Sequence, residues 1–157
     1  MKSLENYPYK NIPSISSIIT LIKPITWFPP MWAFLCGAVS SSNISFDTSM
    51  LLLIGLILSG PIVCGMSQAI NDWCDKEVDA INEPSRPIPS GKVPGSWGFW
   101  IAVIMSITGI IVSWFLGFWG FIATLLAIAC AWAYSAEPIR LTVSYTHLRA
   151  HETSLHL

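Results

Sequence analysis

Apolar residues run in long uninterrupted blocks along this chain, and the charges gather between them. Residues 24–46, 48–71 and 93–136 contain no Asp, Glu, Lys or Arg. A helix needs about 20 apolar residues, each rising roughly 1.5 Å, to cross the hydrocarbon core of a bilayer. The first two windows hold one helix each and the third holds two. The pattern therefore predicts an all-α fold, a polytopic transmembrane helix bundle with four helices: about Trp27 to Val39, about Met50 to Ile70, from just after Gly95-Ser96 to about Leu116, and about Trp119 to Ala136. Pro24, Pro29 and Pro30 distort the entry to the first, which is tolerable where neighbouring helices satisfy the freed carbonyls. In the second, Gly55, Ser59 and Gly60 allow another helix to approach closely.

Composition narrows the class further. Only 11% of the 157 residues are charged, against about 25% in ordinary soluble domains, and the apolar excess excludes a disordered chain. A net charge of −1 without any basic run gives no footprint for nucleic acid. The start, Met1 to Lys10, is polar and carries both signs of charge, unlike a signal or transit peptide. All eight basic residues, Lys2, Lys10, Lys23, Lys76, Arg86, Lys92, Arg140 and Arg149, fall before the first helix, between the second and third, or after the fourth. The positive-inside bias places both ends and the 72–92 loop in the cytoplasm. The Asn43-Ile44-Ser45 sequon is then external and matters only in a secretory pathway.

Trp97, Trp100, Trp114, Trp119 and Trp132 stand near the expected helix ends, which suits an interfacial aromatic belt or, alternatively, contact with a pigment. Cys36, Cys64, Cys74 and Cys130 show no C-x-x-C pairing and read as packing residues.

The chemistry concentrates where the second helix ends, in the run from Ser67 to Lys92. Asn71, Asp75 and Asp79 are spaced i, i+4, i+8, so on a helix all three line one face, with Asp72 at the edge of the same arc. Stacked carboxylates repel each other unless a cation sits on them. Acids at a helix C-terminus also oppose the macrodipole, so a merely solvated acidic loop explains them poorly. Oxygen ligands, few per metal, suit Mg²⁺, which keeps several waters and completes its shell with phosphates. The constellation points to a diphosphate bound through Mg²⁺ at the membrane surface.

The string N-D-x-x-D-x-x-x-D followed by D-A-I-N-E-P-x-R-P-I-P-S-G, over residues 71–91, resembles the first aspartate-rich motif of the UbiA-type intramembrane prenyltransferases, and within them the chlorophyll and bacteriochlorophyll synthases. Lys23 to Phe34 at the first helix and Tyr134-Ser135-Ala136 with Pro138 after the fourth suggest the same subgroup, and Ser67-Gln68-Ala69, Pro94-Gly95 and Trp97-Gly98 lean toward the bacteriochlorophyll branch. The resemblance covers about residues 20–141. It implies transfer of a geranylgeranyl or phytyl group from its diphosphate to the propionate carboxylate of a chlorophyllide or bacteriochlorophyllide, in a bacterial inner or intracytoplasmic membrane. It also implies Mg²⁺ held by Asn71, Asp75 and Asp79, with Asp72 as a further member of the metal-binding set. Asp75, Asp79 and Tyr134 would be catalytic. Asn71, Arg86, Lys23 and Arg140 would bind the diphosphate, although for Lys23 and Arg140 positive-inside anchoring explains the charge equally well, and Tyr134 also suits an interfacial belt. Membrane lipid and proteins of pigment synthesis or assembly are the implied surroundings.

The chain departs from the family pattern in places. The family is expected to have nine helices and a second motif, D-x-x-x-D, and none occurs after Asp79. Glu137 stands where a proline is often found. After Leu141 the character changes, and residues 142–157 carry all three histidines. His147 and His151 are in the wrong order with Glu152 for H-E-x-x-H, and this tail resembles a translated sequencing-adapter read. The sequence is thus organised as a cytoplasmic segment 1–20, the N-terminal part of a UbiA-type domain over 21–141, and a tail, and as such a fragment it is expected to be inactive alone. Two other readings stay open: a related prenyltransferase with a quinone-ring or haem acceptor, and a non-catalytic four-helix membrane protein whose acids bind a cation or a partner.

Overall fold

The computed structural model describes residues 12–41 and 49–136. Asn43, Glu137, Arg140 and the whole 142–157 tail lie outside the described residues.

The first element is one that the charge-free windows leave out. Helix α1, Ile15–Ile22, starts at Ser14, whose hydroxyl accepts from the Ser17 amide at 3.2 Å, an N-cap that satisfies one of the orphan donors of a first turn. It ends at Lys23, whose backbone is left-handed at φ 47° and ψ 72°. A single 3-10 turn, Pro24–Thr26, leads into α2, Phe28–Ser40. Pro29 and Pro30 stand in the first turn of α2, where a missing amide hydrogen costs nothing. The two stretches meet at a 52° bend around Trp27, and the Trp27 indole ties that bend back to the Ile22 carbonyl at 2.9 Å.

The second predicted helix is present, but it is not uniform. It comprises α3, Ser49–Ile57, a π-helical stretch over Leu58–Cys64 containing Pro61, and α4, Gly65–Cys74. Proline removes an amide hydrogen from the ladder, and the wider winding accommodates it. A Cβ on Gly55 would overlap the Phe34 ring, and one on Gly60 would meet Met31 at 2.5 Å. Gly55 of α3 and Gly60 of the π-helical stretch thus do let α2 and Trp27 approach closely, as the sequence suggests.

After Asp75 the chain continues as α5, Lys76–Asn82, then through a proline-rich loop into α6, Trp97–Ser113, a 3-10 turn at Trp114–Leu116, and α7, Gly117–Ser135. Gly117, at φ 76°, makes the reversal between the two helices expected to end at about Leu116 and to start at about Trp119. The stretch from Trp97 to Ser135 doubles back on itself: the rings of Phe99 and Trp132 lie 5.7 Å apart, whereas a straight helix would separate them by about 50 Å. The Trp132 indole also donates to Ser106 Oγ at 3.1 Å. Trp132 therefore packs inside the hairpin, while Trp114 and Trp119, at its other end, are 72% and 79% exposed.

Helix α4 sits at the centre, against α1, α6 and α7. Met66, Ala69 and Ile70 from it join Leu21, Val93, Ile101, Ala102 and Ile128 in the core. Large apolar residues elsewhere face outward, Ile104, Ile107, Ile111 and Leu126 among them, as they do on helices whose surroundings are lipid. The Ser49–Cys74 and Trp97–Ser135 stretches are long and apolar enough to cross a membrane, and the bent pair around Trp27 makes a third if counted as one span. This is an all-helical membrane protein.

Candidate functional site

The acidic motif begins on the last turn of α4. Met66, Ala69 and Ile70 carry the buried stripe of that helix, and Asp72 continues it, so the carboxylate enters the bundle with no exposed side-chain surface. Asp75 breaks the helix at φ −92° and ψ 9°, yet the i to i+4 ladder carries on across it. The amides of Asp75, Asp79 and Glu83 donate to the carbonyls of Asn71, Asp75 and Asp79 at 2.9, 2.8 and 2.8 Å.

Two cations converge on this end of α4. Lys23, from the turn after α1, places Nζ 2.7 Å from Asp72 Oδ1. Arg86, from the proline-rich loop, bridges three acids: Nη1 meets Asp79 Oδ2 at 2.8 Å and Asp72 Oδ1 at 3.4 Å, and Nε meets Glu83 Oε2 at 2.6 Å. The loop that delivers Arg86 is itself anchored. Pro87 and Val93 are buried, the Val93 amide donates to the Pro87 carbonyl at 2.8 Å, and Ile88 packs at Gly98, where a Cβ would meet it at 2.8 Å. The hydrogen bond from Arg86 holds the Glu83 carboxyl below its ordinary range. The bond to Glu83 and the nearby Asp79 and Asp72 in turn push the guanidinium above its own.

The predicted site residues thus separate into two groups. Lys23, Asp72, Asp79 and Arg86 form one ion-paired network, and Asn71 Nδ2 donates to Asp75 Oδ2 at 3.1 Å beside it. Asp72, expected at the edge of a metal-facing arc, is the most deeply buried member of the network, ahead of Asp79. Tyr134 stands half-exposed on the last turn of α7, and Arg140 lies outside the described residues. The sequence reading did not single out Glu83, though its position three residues before Arg86 is the signal for such a pair.

The donor chemistry fits magnesium, since Asn71, Asp75 and Asp79 offer oxygens alone. Among the described residues no three of the Asp, Glu, Cys and His side chains converge as a ready cage. Sparse protein ligation of that kind suits an ion that completes its shell with water and phosphate.

Fold and site together define a membrane-embedded helical protein with an oxygen-rich acidic motif and matched cations at one end of its central helix. The chain belongs to the UbiA prenyltransferase family, whose model matches residues 28–149. It is 61% identical over 132 residues to the bacteriochlorophyll synthase 33 kDa chain of Rhodobacter capsulatus, covering 84% of this chain and 43% of the relative. It is 54% identical over 132 residues to the corresponding chain of Cereibacter sphaeroides, with 84% and 44% covered. The chloroplastic chlorophyll synthase of Arabidopsis thaliana is 35% identical over 133 residues, with 78% and 34% covered. The chain spans less than half the length of these relatives. No solved structure matches it.

Proposed function

We propose that this chain forms the N-terminal part, residues 21–141, of a (bacterio)chlorophyll synthase, which joins a geranylgeranyl or phytyl group to the propionate carboxylate of a chlorophyllide or bacteriochlorophyllide. The observation that carries the reading is an acidic motif at the end of an apolar helix, bonded to two cations, in a chain 61% identical to a bacteriochlorophyll synthase chain.

In this reaction the allylic C–O bond of the prenyl diphosphate breaks, and its electron pair leaves with the diphosphate. A carboxylate oxygen of the pigment forms the new bond to that carbon. Negative charge therefore grows on the departing oxygens, and preorganised cations and donors aimed there lower the barrier. Magnesium, when bound by Asn71, Asp75 and Asp79, supplies charge neutralisation at that group. Arg86 offers a planar fork of donors to phosphate oxygens and Lys23 a compact point charge. The Tyr134 phenol supplies a further donor, and Arg140 a further cation. Apolar helix walls would house the prenyl tail and keep water from the allylic carbon.

Topology follows from the same reading: a multi-pass protein of a bacterial inner or intracytoplasmic membrane, with four spans and with the acidic motif and both ends of the family segment on the cytoplasmic side. Lipid covers the outward-facing isoleucines of α6. Proteins of pigment synthesis or assembly are its expected partners.

The test is turnover by the full-length protein in detergent, supplied with geranylgeranyl diphosphate and bacteriochlorophyllide. Esterified pigment forms in the presence of magnesium and disappears on chelation. If neither bacteriochlorophyllide nor chlorophyllide is esterified, the proposal falls.

A further inference from the structure

Asp72 is an expensive residue to keep. A carboxylate removed from water at the end of an apolar helix costs several kcal/mol unless it is paired, and this one has no exposed side-chain surface. Both of its cationic partners reach the same oxygen, Oδ1: Lys23 Nζ at 2.7 Å and Arg86 Nη1 at 3.4 Å. The other oxygen, Oδ2, is buried with no hydrogen-bond partner among the described residues. Magnesium sheds its waters reluctantly, so an enclosed oxygen beneath two cations is a poor place for it. The cations differ from the acid they share, because the side chains of Lys23 and Arg86 each keep 26% of their surface exposed.

The backbone at Lys23 supports the same reading. It is the only non-glycine with positive φ among the described residues, a conformation that costs an L-residue about 1 kcal/mol or more. A glycine would occupy that turn without strain. The residue present is instead a lysine, and its ammonium meets an acid 49 positions along the chain.

We infer that Asp72 is a positioning residue and not a magnesium ligand: it is the buried counter-ion that fixes Lys23 and Arg86 as a paired cradle for the oxygens of a diphosphate. The inference rests on the diphosphate reading above. Lys23 and Arg86 against Asp72, Asp79 and Glu83 leave one net negative charge, so the cradle does not draw in an anion by charge alone. It acts by geometry once magnesium has offset the acids. A defect in the cradle therefore persists at any magnesium concentration, whereas a lost metal ligand is compensated by more metal.

The experiment is calorimetric titration of the chain in detergent micelles with inorganic diphosphate, repeated across a magnesium series. Asp72→Asn and Lys23→Gln should each weaken binding about tenfold, with no recovery as magnesium rises, and Lys23→Arg should restore most of it. Asp75→Asn should weaken binding in a way that added magnesium reverses. Should Asp72→Asn misfold, Asp72→Glu decides in its place, because it keeps the buried charge but displaces the carboxylate from Lys23 and Arg86, and it should weaken diphosphate binding at every magnesium concentration. Diphosphate binding by Asp72→Asn that is unchanged, or rescued by magnesium, overturns the inference while leaving the diphosphate site standing. If the unsubstituted chain binds no diphosphate at any magnesium concentration, the diphosphate site itself is refuted in this chain and the inference with it.

Discussion

Arg86 Nη1 lies 2.8 Å from Asp79 Oδ2, and the two residues belong to different elements, one to the proline-rich loop and the other to α5. Through this contact the loop closes over the end of α4 and reaches Asp72 as well. Charged hydrogen bonds of this type contribute about 1.5–3 kcal/mol each where partly buried. Arg86→Ala should therefore lower stability by about 2 kcal/mol, read from the unfolding midpoint in micelles. Arg86→Lys should recover only part of the loss, because one ammonium lacks the fork that spans three carboxylates. A midpoint unchanged in Arg86→Ala would show that the bridge is ornamental.

Asp75 and Asp79 are expected to act through the metal. In the full-length protein, Asp75→Ala or Asp79→Ala should reduce esterification at least about 100-fold, the scale on which lost stabilisation of a developing anion is felt. Rates are compared across a magnesium series. A variant with the normal rate and the normal magnesium dependence removes that residue from the assignment.

Close packing of α2 on α3 depends on one absent methyl group. A Cβ on Gly55 would overlap the Phe34 ring, so Gly55→Ala should destabilise by about 1–3 kcal/mol, the usual scale for overpacking. Phe34→Ala opens the space, and the double variant should be more stable than the sum of the single losses predicts. Additive losses in the four-member cycle would mean that the two residues do not meet.

The pairing of Glu83 with Arg86 has a definite sign with pH. Glu83 is held below its ordinary range in the folded state. Its contribution is therefore complete above the unfolded value, about 4.3, and is lost as pH falls through the lower folded value. Carbon NMR of the Glu83 carboxyl should show a midpoint below that of a free glutamate, and Arg86→Gln should return it upward. A Glu83 midpoint at the ordinary value in the unsubstituted protein would refute the pair.

Much of this arrangement is legible in the sequence because membrane burial is written in bulk composition. The charge-free windows locate α2, the α3–α4 helix, α6 and α7, and Gly117 marks the reversal between the last two. Helix α1 is missed because eight residues are too few for a span, although Ile15, Ile18, Ile19 and Ile22 repeat at helical spacing behind the Ser14 cap. The acids, too, are recognisable as a group, since their spacing is local. Their division is not. Asp72 belongs with Lys23 and not with Asn71 and Asp75, and a contact between residues 49 positions apart leaves no trace in spacing. The buried stripe of Met66 and Ala69 does point to it in retrospect, because Asp72 falls on the same side of α4.

The π-helical stretch around Pro61 has a consequence for the acids two to three turns beyond it. A π turn carries about one residue more than an α turn, and one residue corresponds to about 100° of rotation. The bearing of α4 about its own axis is therefore set in the middle of the span, far from any charge. Were the surplus residue deleted, the helix would remain as apolar and nearly as long, but Asp72 would swing out of the bundle while its neighbours turned inward. The azimuth of the proposed diphosphate site is thus encoded in a stretch of Leu, Ser, Gly, Pro, Ile, Val and Cys that carries no ionisable acid or base of its own beyond a thiol.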